Sequence, residues 1–292
     1  MSSRPLCLAR HNQIPPSIAT RPRASHFRTI SQKTMEQLTF GACVKKGWIS
    51  SWQAVTQMPW LFLGVCAVLA CTSLLIGQRP AATDNMDSMT RVGHGLLSLV
   101  WFFLQLAVSG TLTIKVHRFV LLGEGAHPLV PLNGKPLARY ALVWLAIMLI
   151  VLAIIGFTFV AMRALKMGFL VYVPLLLIYL FVLIRLSLLY PSIALGSRVA
   201  LRAAWRDSRG HVWSIIGVGF VTYVPLFVVT VLLFVLVGPK MLAAHQTQGL
   251  AVVAIIQALL NAVFVVFAAA SLSWLYRRYA NELLTHAEDA PR

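Results

Sequence analysis

Four arginines carry the most readable chemistry in this chain. Arg198, Arg202, Arg206 and Arg209 follow Gly196-Ser197 and stop just before Gly210. At 100° per residue they share one narrow helical face, and Leu201, Ala204, Trp205 and Ser208 fall outside it. Trp205 and Trp213 bracket the far end of the block. Guanidinium groups beside tryptophan suit a membrane surface, because the fork donates to phosphate oxygens and the indole settles at headgroup depth. The block predicts a short basic helix lying in the interface, with Ser197 as its N-cap and Gly210 just past its end. Together with Arg185, these four arginines and two tryptophans form the candidate lipid- or partner-binding set.

Arg185 is the one charged residue inside an apolar run. A charge within a membrane span points to function unless its side chain reaches the interface. Arg185 lies about one turn before Tyr190-Pro191, close enough to the end for its guanidinium to snorkel to the phosphate layer. Its functional alternatives are a lipid phosphate or the inner end of another helix. The last apolar run carries Gln257 and Asn261, four apart, with Ala254 and Ala258 continuing that face. Gln105 and Ser109 form a similar pair earlier in the chain. Such side chains predict hydrogen bonds between helices, and the sharper alternative is a path for a polar solute. No acidic residue falls within an apolar run, which argues against a proton-coupled pump.

Catalytic chemistry finds little support. The eight acidic residues are Glu36, Asp84, Asp87, Glu124, Asp207, Glu282, Glu288 and Asp289, all expected in loops or tails. Asp84 and Asp87 share a loop but have no partners for general acid–base work. His117, Glu124 and His127 are expected in one loop, and three or four converging ligands are what a metal needs. Their spacing matches no metal motif, and there is no P-loop, HExxH or GxSxG sequence. Cys7, Cys43, Cys66 and Cys71 form no CxxC and suggest neither disulfide nor zinc. The expectation is a non-enzyme without metal or cofactor.

The elements that must position these residues follow from composition. The chain is 59% hydrophobic and only 11% charged over 292 residues. Soluble domains carry about 25% charged residues, so this chain belongs in a bilayer. Six apolar runs are long enough to cross about 30 Å of hydrocarbon as helices. They lie near Trp60–Gly77, Leu96–Ile114, Tyr140–Val160, Gly168–Leu189, Val212–Val237 and Leu250–Leu275. None alternates with period two, so helices are preferred to a barrel. Residues 1–34 are basic and acid-free, and are read as a disordered tail or an over-extended start. Residues 35–279 form the six-span domain and 280–292 a cytoplasmic tail.

A net charge of +17 suggests an anionic partner. Its clustering between apolar runs favours anionic headgroups at the cytoplasmic face over nucleic acid. All Lys and Arg except Arg79, Arg91, Arg163, Lys166 and Lys240 fall on the side shared by both termini. The rule that basic residues stay inside therefore predicts cytoplasmic N- and C-termini.

Part of the arginine block occurs twice. Trp52, Trp60 and Gly64-Val65 match Trp205, Trp213 and Gly217-Val218 in spacing. Thr111-Leu112-Thr113 with Arg118-Phe119 similarly matches Ser271-Leu272-Ser273 with Arg278-Tyr279. This predicts two parallel copies of an interfacial helix followed by two spans, with spans three and four between them.

The series Arg185-Leu186, Pro191, Ala194-Leu195, Ala200-Leu201, Ala204-Trp205 and Arg209-Gly210 through Trp213 resembles the bacterial YciC-like membrane proteins. It is also similar to the membrane domain attached to some glycerophosphodiester phosphodiesterases. The resemblance implies six spans with a short helix before the first, in a bacterial inner membrane. It implies no activity, because the phosphodiesterase chemistry belongs to a separate soluble domain whose clustered acids and histidines are not found here. The functional expectation is a non-enzymatic inner-membrane protein that engages anionic lipid, or a membrane protein partner, through basic interfacial helices. The alternative is a small-solute transporter or channel component with its path between the repeat units.

Overall fold

The computed structural model describes residues 39–77, 88–123, 134–165, 168–197, 199–243 and 246–288. Among the described residues the fold is all-α, without a strand.

Helix α1 (Phe40–Gln57) buries Cys43, Gly47, Ser50, Ser51 and Ala54. These small side chains recur every three or four residues and form one face. That face allows unusually close packing on the last long helix. A Cβ on Gly47 would stand 3.0 Å from Ser271 Oγ and 3.4 Å from Ser271 Cα. Helix α1 ends before Met58, and Pro59 opens α2 (Pro59–Gly77). Proline suits a first helical position because its missing N–H has no intrahelical partner there. The two helices meet at a bend of 87°.

Helix α3 (Ser88–Leu122), α4 (Gly134–Leu165) and α5 (Gly168–Leu186) follow. Two short helices, α6 (Leu189–Ala194) and α7 (Leu201–Asp207), lead into α8 (Val212–Ala243). Helix α9 (Gln246–Tyr279) and the short α10 (Glu282–Glu288) complete the chain. Helix α9 is central, packing against α1, α2, α3 and α8. Its buried Ala254, Ala258, Ala262, Ala269 and Ala270 let these neighbours approach closely.

Among the described residues, five helical stretches are long and apolar enough to cross a membrane: Val92–Leu122, Gly134–Val160, Val173–Ala194, Val212–Leu236 and Ala251–Tyr279. The bent pair α1–α2 makes a sixth candidate. Large apolar side chains cover the outside, including Leu142, Leu149, Phe157, Phe220 and Phe234. In water so much exposed apolar surface would drive association; hydrocarbon is its natural solvent. The architecture is that of an all-α, multi-span membrane protein.

The core is not spread evenly along the bundle. In α3 the buried positions Leu106, Leu112, Ile114, Val116, His117 and Val120 lie toward Leu122, and none falls within residues 92–104. In α4 the buried Tyr140, Val143 and Ile147 lie toward Gly134. Packing is therefore densest at one end of the bundle, where α3 ends and α4 begins. Most of the described arginines cluster at that end, called here the basic end.

Two sequence expectations change. His117 belongs to α3, not to a loop, and is fully buried. Ser273 Oγ donates to Ala269 O at 2.8 Å, so its single proton is taken. His117 Nδ1–H must therefore donate to Ser273 Oγ, at 2.7 Å. Beyond Tyr279 the described residues are not simply a tail, because α10 folds back with Leu283 completely buried. Glu36, Asp84, Asp87, Glu124, His127 and Asp289, together with residues 1–34, lie outside the described residues.

Candidate functional site: the basic end of the bundle

The basic end is built where helix ends meet. The last carbonyls of a helix have no partner within it and carry the negative end of its dipole. Glycine closes two of these ends. Gly123 takes φ +64° after α3, and its N–H donates to Phe119 O at 3.0 Å. Gly196 takes φ +90° after α6. There the Gly196 N–H donates to Ile193 O at 2.9 Å and the Ser197 N–H to Ser192 O at 3.2 Å. That pair of bonds is a Schellman closure, which needs a residue free to adopt positive φ.

Arginines bind further carbonyls at or just past three helix ends. Arg139 Nη1, from α4, donates to Gly196 O and Ser197 O, both at 2.9 Å. Arg277 Nη2, from α9, donates to Val120 O at 2.6 Å and Leu121 O at 3.0 Å, at the end of α3. Arg185 Nη1 donates to Trp205 O at 3.1 Å, in the last turn of α7. The Arg185 guanidinium also sits 5.0 Å from the Phe181 ring centroid and 4.8 Å from that of Trp205. A cation near a helix C-terminus contributes about 0.3–1 kcal/mol, more when partly buried. These three arginines turn inward and hold the end of the bundle together.

Acidic groups fasten α10 to α7. The Asp207 carboxylate accepts the N–H groups of Asn281 (3.1 Å), Glu282 (3.1 Å) and Leu283 (2.9 Å). It acts as an N-cap supplied from another helix. Arg206 pairs with Glu282 at 3.1 Å. Asp207 and Glu282 were expected as loop or tail charges, yet both are structural ties.

Other basic residues of this end turn outward, while Arg278 stays half-buried, with Nη1 4.0 Å from Cys43 Sγ. Arg202 and Arg209 are exposed and have no hydrogen-bond or carboxylate partner among the described residues. Arg206 is 65% exposed despite its ion pair. Lys45 and Lys46 of α1 are exposed as well. Trp60 and Trp213, each the second residue of its helix, α2 and α8, are 79% and 84% exposed. This face can offer guanidinium and ammonium donors to anionic oxygens, with indoles beside them.

The expected four-arginine helix is shorter than its pattern. Helix α7 contains only Arg202 and Arg206; Arg209 lies beyond the Ser208 C-cap, and Arg198 falls outside the described residues. Ala200, at φ −104° and ψ 74°, interrupts the helical backbone and takes the N-cap place expected for Ser197. Ser197 Oγ instead donates back to Ser192 O at 2.7 Å, completing the end of α6. Gly210 does adopt positive φ, +85°, just past the helix.

The intramembrane polar residues have two different fates. Gln105 Nε2 donates to Thr72 Oγ1 at 2.8 Å and joins α3 to α2. Gln257 and Asn261 are exposed and have no hydrogen-bond partner among the described residues. The expected hydrogen bonds between helices are therefore present at Gln105 and missing from the Gln257–Asn261 pair. Sequence reasoning missed Arg139 and Arg277. Their signal was an arginine near the inner end of one span and a glycine-punctuated end on another.

Among the described residues, no three His, Cys, Asp or Glu side chains gather as metal ligands. Fold and site together define a multi-span helical membrane protein with one strongly basic end. No family model, curated protein or solved structure matches the chain.

Proposed function

We propose that this is a non-enzymatic protein of a bacterial inner membrane whose basic end faces the cytoplasm and engages anionic phospholipid headgroups. The observation that carries the reading is the division among the arginines. Arg139, Arg185 and Arg277 donate to carbonyls at or just past helix ends, whereas Arg202 and Arg209 remain exposed without a hydrogen-bond or carboxylate partner among the described residues. In this reading α1 and α7 lie in the interface, and their units are two parallel copies of one plan. The matched exposure of Trp60 and Trp213 supports that plan. The reading includes kinship with the YciC-like membrane proteins, supported by the resemblance of the series from Arg185 to Trp213.

The test is a lipid competition. The full chain is purified in mild detergent with phosphatidylglycerol and phosphatidylcholine, and the retained lipids are counted by native mass spectrometry. Each basic residue near an anionic surface contributes about 1 kcal/mol. Replacing both Arg202 and Arg209 by Gln should weaken phosphatidylglycerol retention by roughly 30-fold without changing the fold. Equal retention by the double variant and the parent would overturn the reading.

A further inference from the structure

Gln257 and Asn261 are exposed on α9, one turn apart, without hydrogen-bond partners among the described residues. Their depth makes this unusual. The apolar stretch containing them is Ala251–Tyr279. Asn261 lies about 6 Å of helical rise from its midpoint, well inside the hydrocarbon. An amide there has no water to bond, so it seeks a polar group on another helix.

The neighbours show where the pair faces. Phe264 stacks on Tyr223 of α8, with ring centroids 6.1 Å apart. Ala258 shares a core cluster with Phe62, Val65 and Leu69 of α2. On the helical wheel Asn261 lies about 60° from Phe264 on one side and about 60° from Ala258 on the other. The amides therefore look out through the gap between α2 and α8. They are isolated along that stripe, with Val253 and Ala254 before them and Phe264, Val265 and Ala268 after them. A solute path would need polar groups to continue in both directions.

We propose that the chain self-associates in the bilayer through this face, with Gln257 and Asn261 of one copy bonding their counterparts in a second. A carboxamide carries both donors and an acceptor. Identical amides brought together across a two-fold axis satisfy each other, and an isologous contact closes as a dimer. No other residue type need be supplied. The face lies at mid-span, away from the basic end, so this inference stands or falls independently of the lipid reading.

The experiment uses the full chain, labelled with donor or acceptor dye at its N-terminus and reconstituted into phosphatidylcholine vesicles over a range of protein-to-lipid ratios. Energy transfer between copies should titrate as a monomer–dimer equilibrium. The double substitution Gln257→Leu and Asn261→Leu should weaken dimerisation by at least about tenfold. Leucine at a lipid-facing site keeps the fold, which thermal unfolding would confirm. A photo-crosslinking side chain at position 261 should yield a covalent dimer, and one at the exposed Leu142 of α4 should not. A parent chain that remains monomeric at every ratio overturns the proposal. Equal dimerisation by the double variant, or lipid adducts alone at position 261, does so as well.

Discussion

Two helical units lead the chain into the bundle from its basic end, and they are held by different physics. The first, α1 running into α2, is an 18-residue helix bent by 87° into the next. It is fixed mainly by close packing, since Gly47, Ser50, Ser51 and Ala54 lie buried along it, with one directed hydrogen bond from Trp274 Nε1 to Ser50 Oγ at 2.9 Å. The second, α7 running into α8, offers only seven helical residues and buries only Ala203 and Ala204 of them. It is fixed by directed polar contacts: Arg185 on Trp205 O, Asp207 on three N–H groups of α10, and Arg206 on Glu282. A long helix with a small-residue face can be held largely by shape. A helix of two turns has too little surface for that and needs charge.

The sharpest way to break this comparison is to spoil the shape of the first unit. Gly47→Val puts a branched side chain where even a Cβ would stand 3.0 Å from Ser271 Oγ. Overpacking of this kind costs about 1–3 kcal/mol, and the nearby Ser271 backbone places this case toward the upper end. Gly64→Val is the control, because a Cβ there meets nothing within 4 Å. The thermal midpoint in detergent should fall clearly for the first variant and stay near the parent for the second. Equal behaviour would mean that α1 is not held by close approach.

The next effect should come from the second unit. Asp207→Ala removes the acceptor for the first N–H groups of α10. Losing an N-cap costs about 1–2 kcal/mol, so hydrogen exchange at Asn281, Glu282 and Leu283 should quicken by roughly tenfold. Exchange within α1 should not change. If α1 loosened as well, the two units would be one cooperative element, and the contrast between them would fail.

Much of the fold was legible because hydropathy declares a span residue by residue. Glycine and proline declare where helices turn, as at Pro59, Gly123, Gly196 and Gly210. The polar assignments were less legible because each depends on a neighbour from elsewhere in the chain. Gln105 and Gln257 both stand one turn from a second polar residue, yet only Gln105 has a hydroxyl opposite it, from Thr72. Arg139 and Arg209 are both interfacial arginines, but only Arg139 faces a helix end with free carbonyls. The four-arginine face failed as one helix for a related reason. Gly196 and Ser197 complete the end of α6, and the non-helical backbone at Ala200 delays the start of α7. Periodicity registers which residues would share a face if the helix continued; it does not register a competing partner for the backbone.

The smallest expected effect tests which polar contact matters in the second unit. Arg206→Gln removes the ion pair with Glu282 but leaves the Asp207 clamp intact. With Arg206 65% exposed, solvent screens the pair, and such bridges contribute about 0.2–1 kcal/mol. Exchange at Asn281 to Leu283 should therefore rise far less than in Asp207→Ala, and the small rise should shrink in high salt. The carboxylate differs because it accepts three backbone donors in fixed positions, where the salt bridge joins two flexible side chains. Equal opening of α10 by the two substitutions would move the tie from the backbone clamp to the ion pair, making the second unit sensitive to ionic strength.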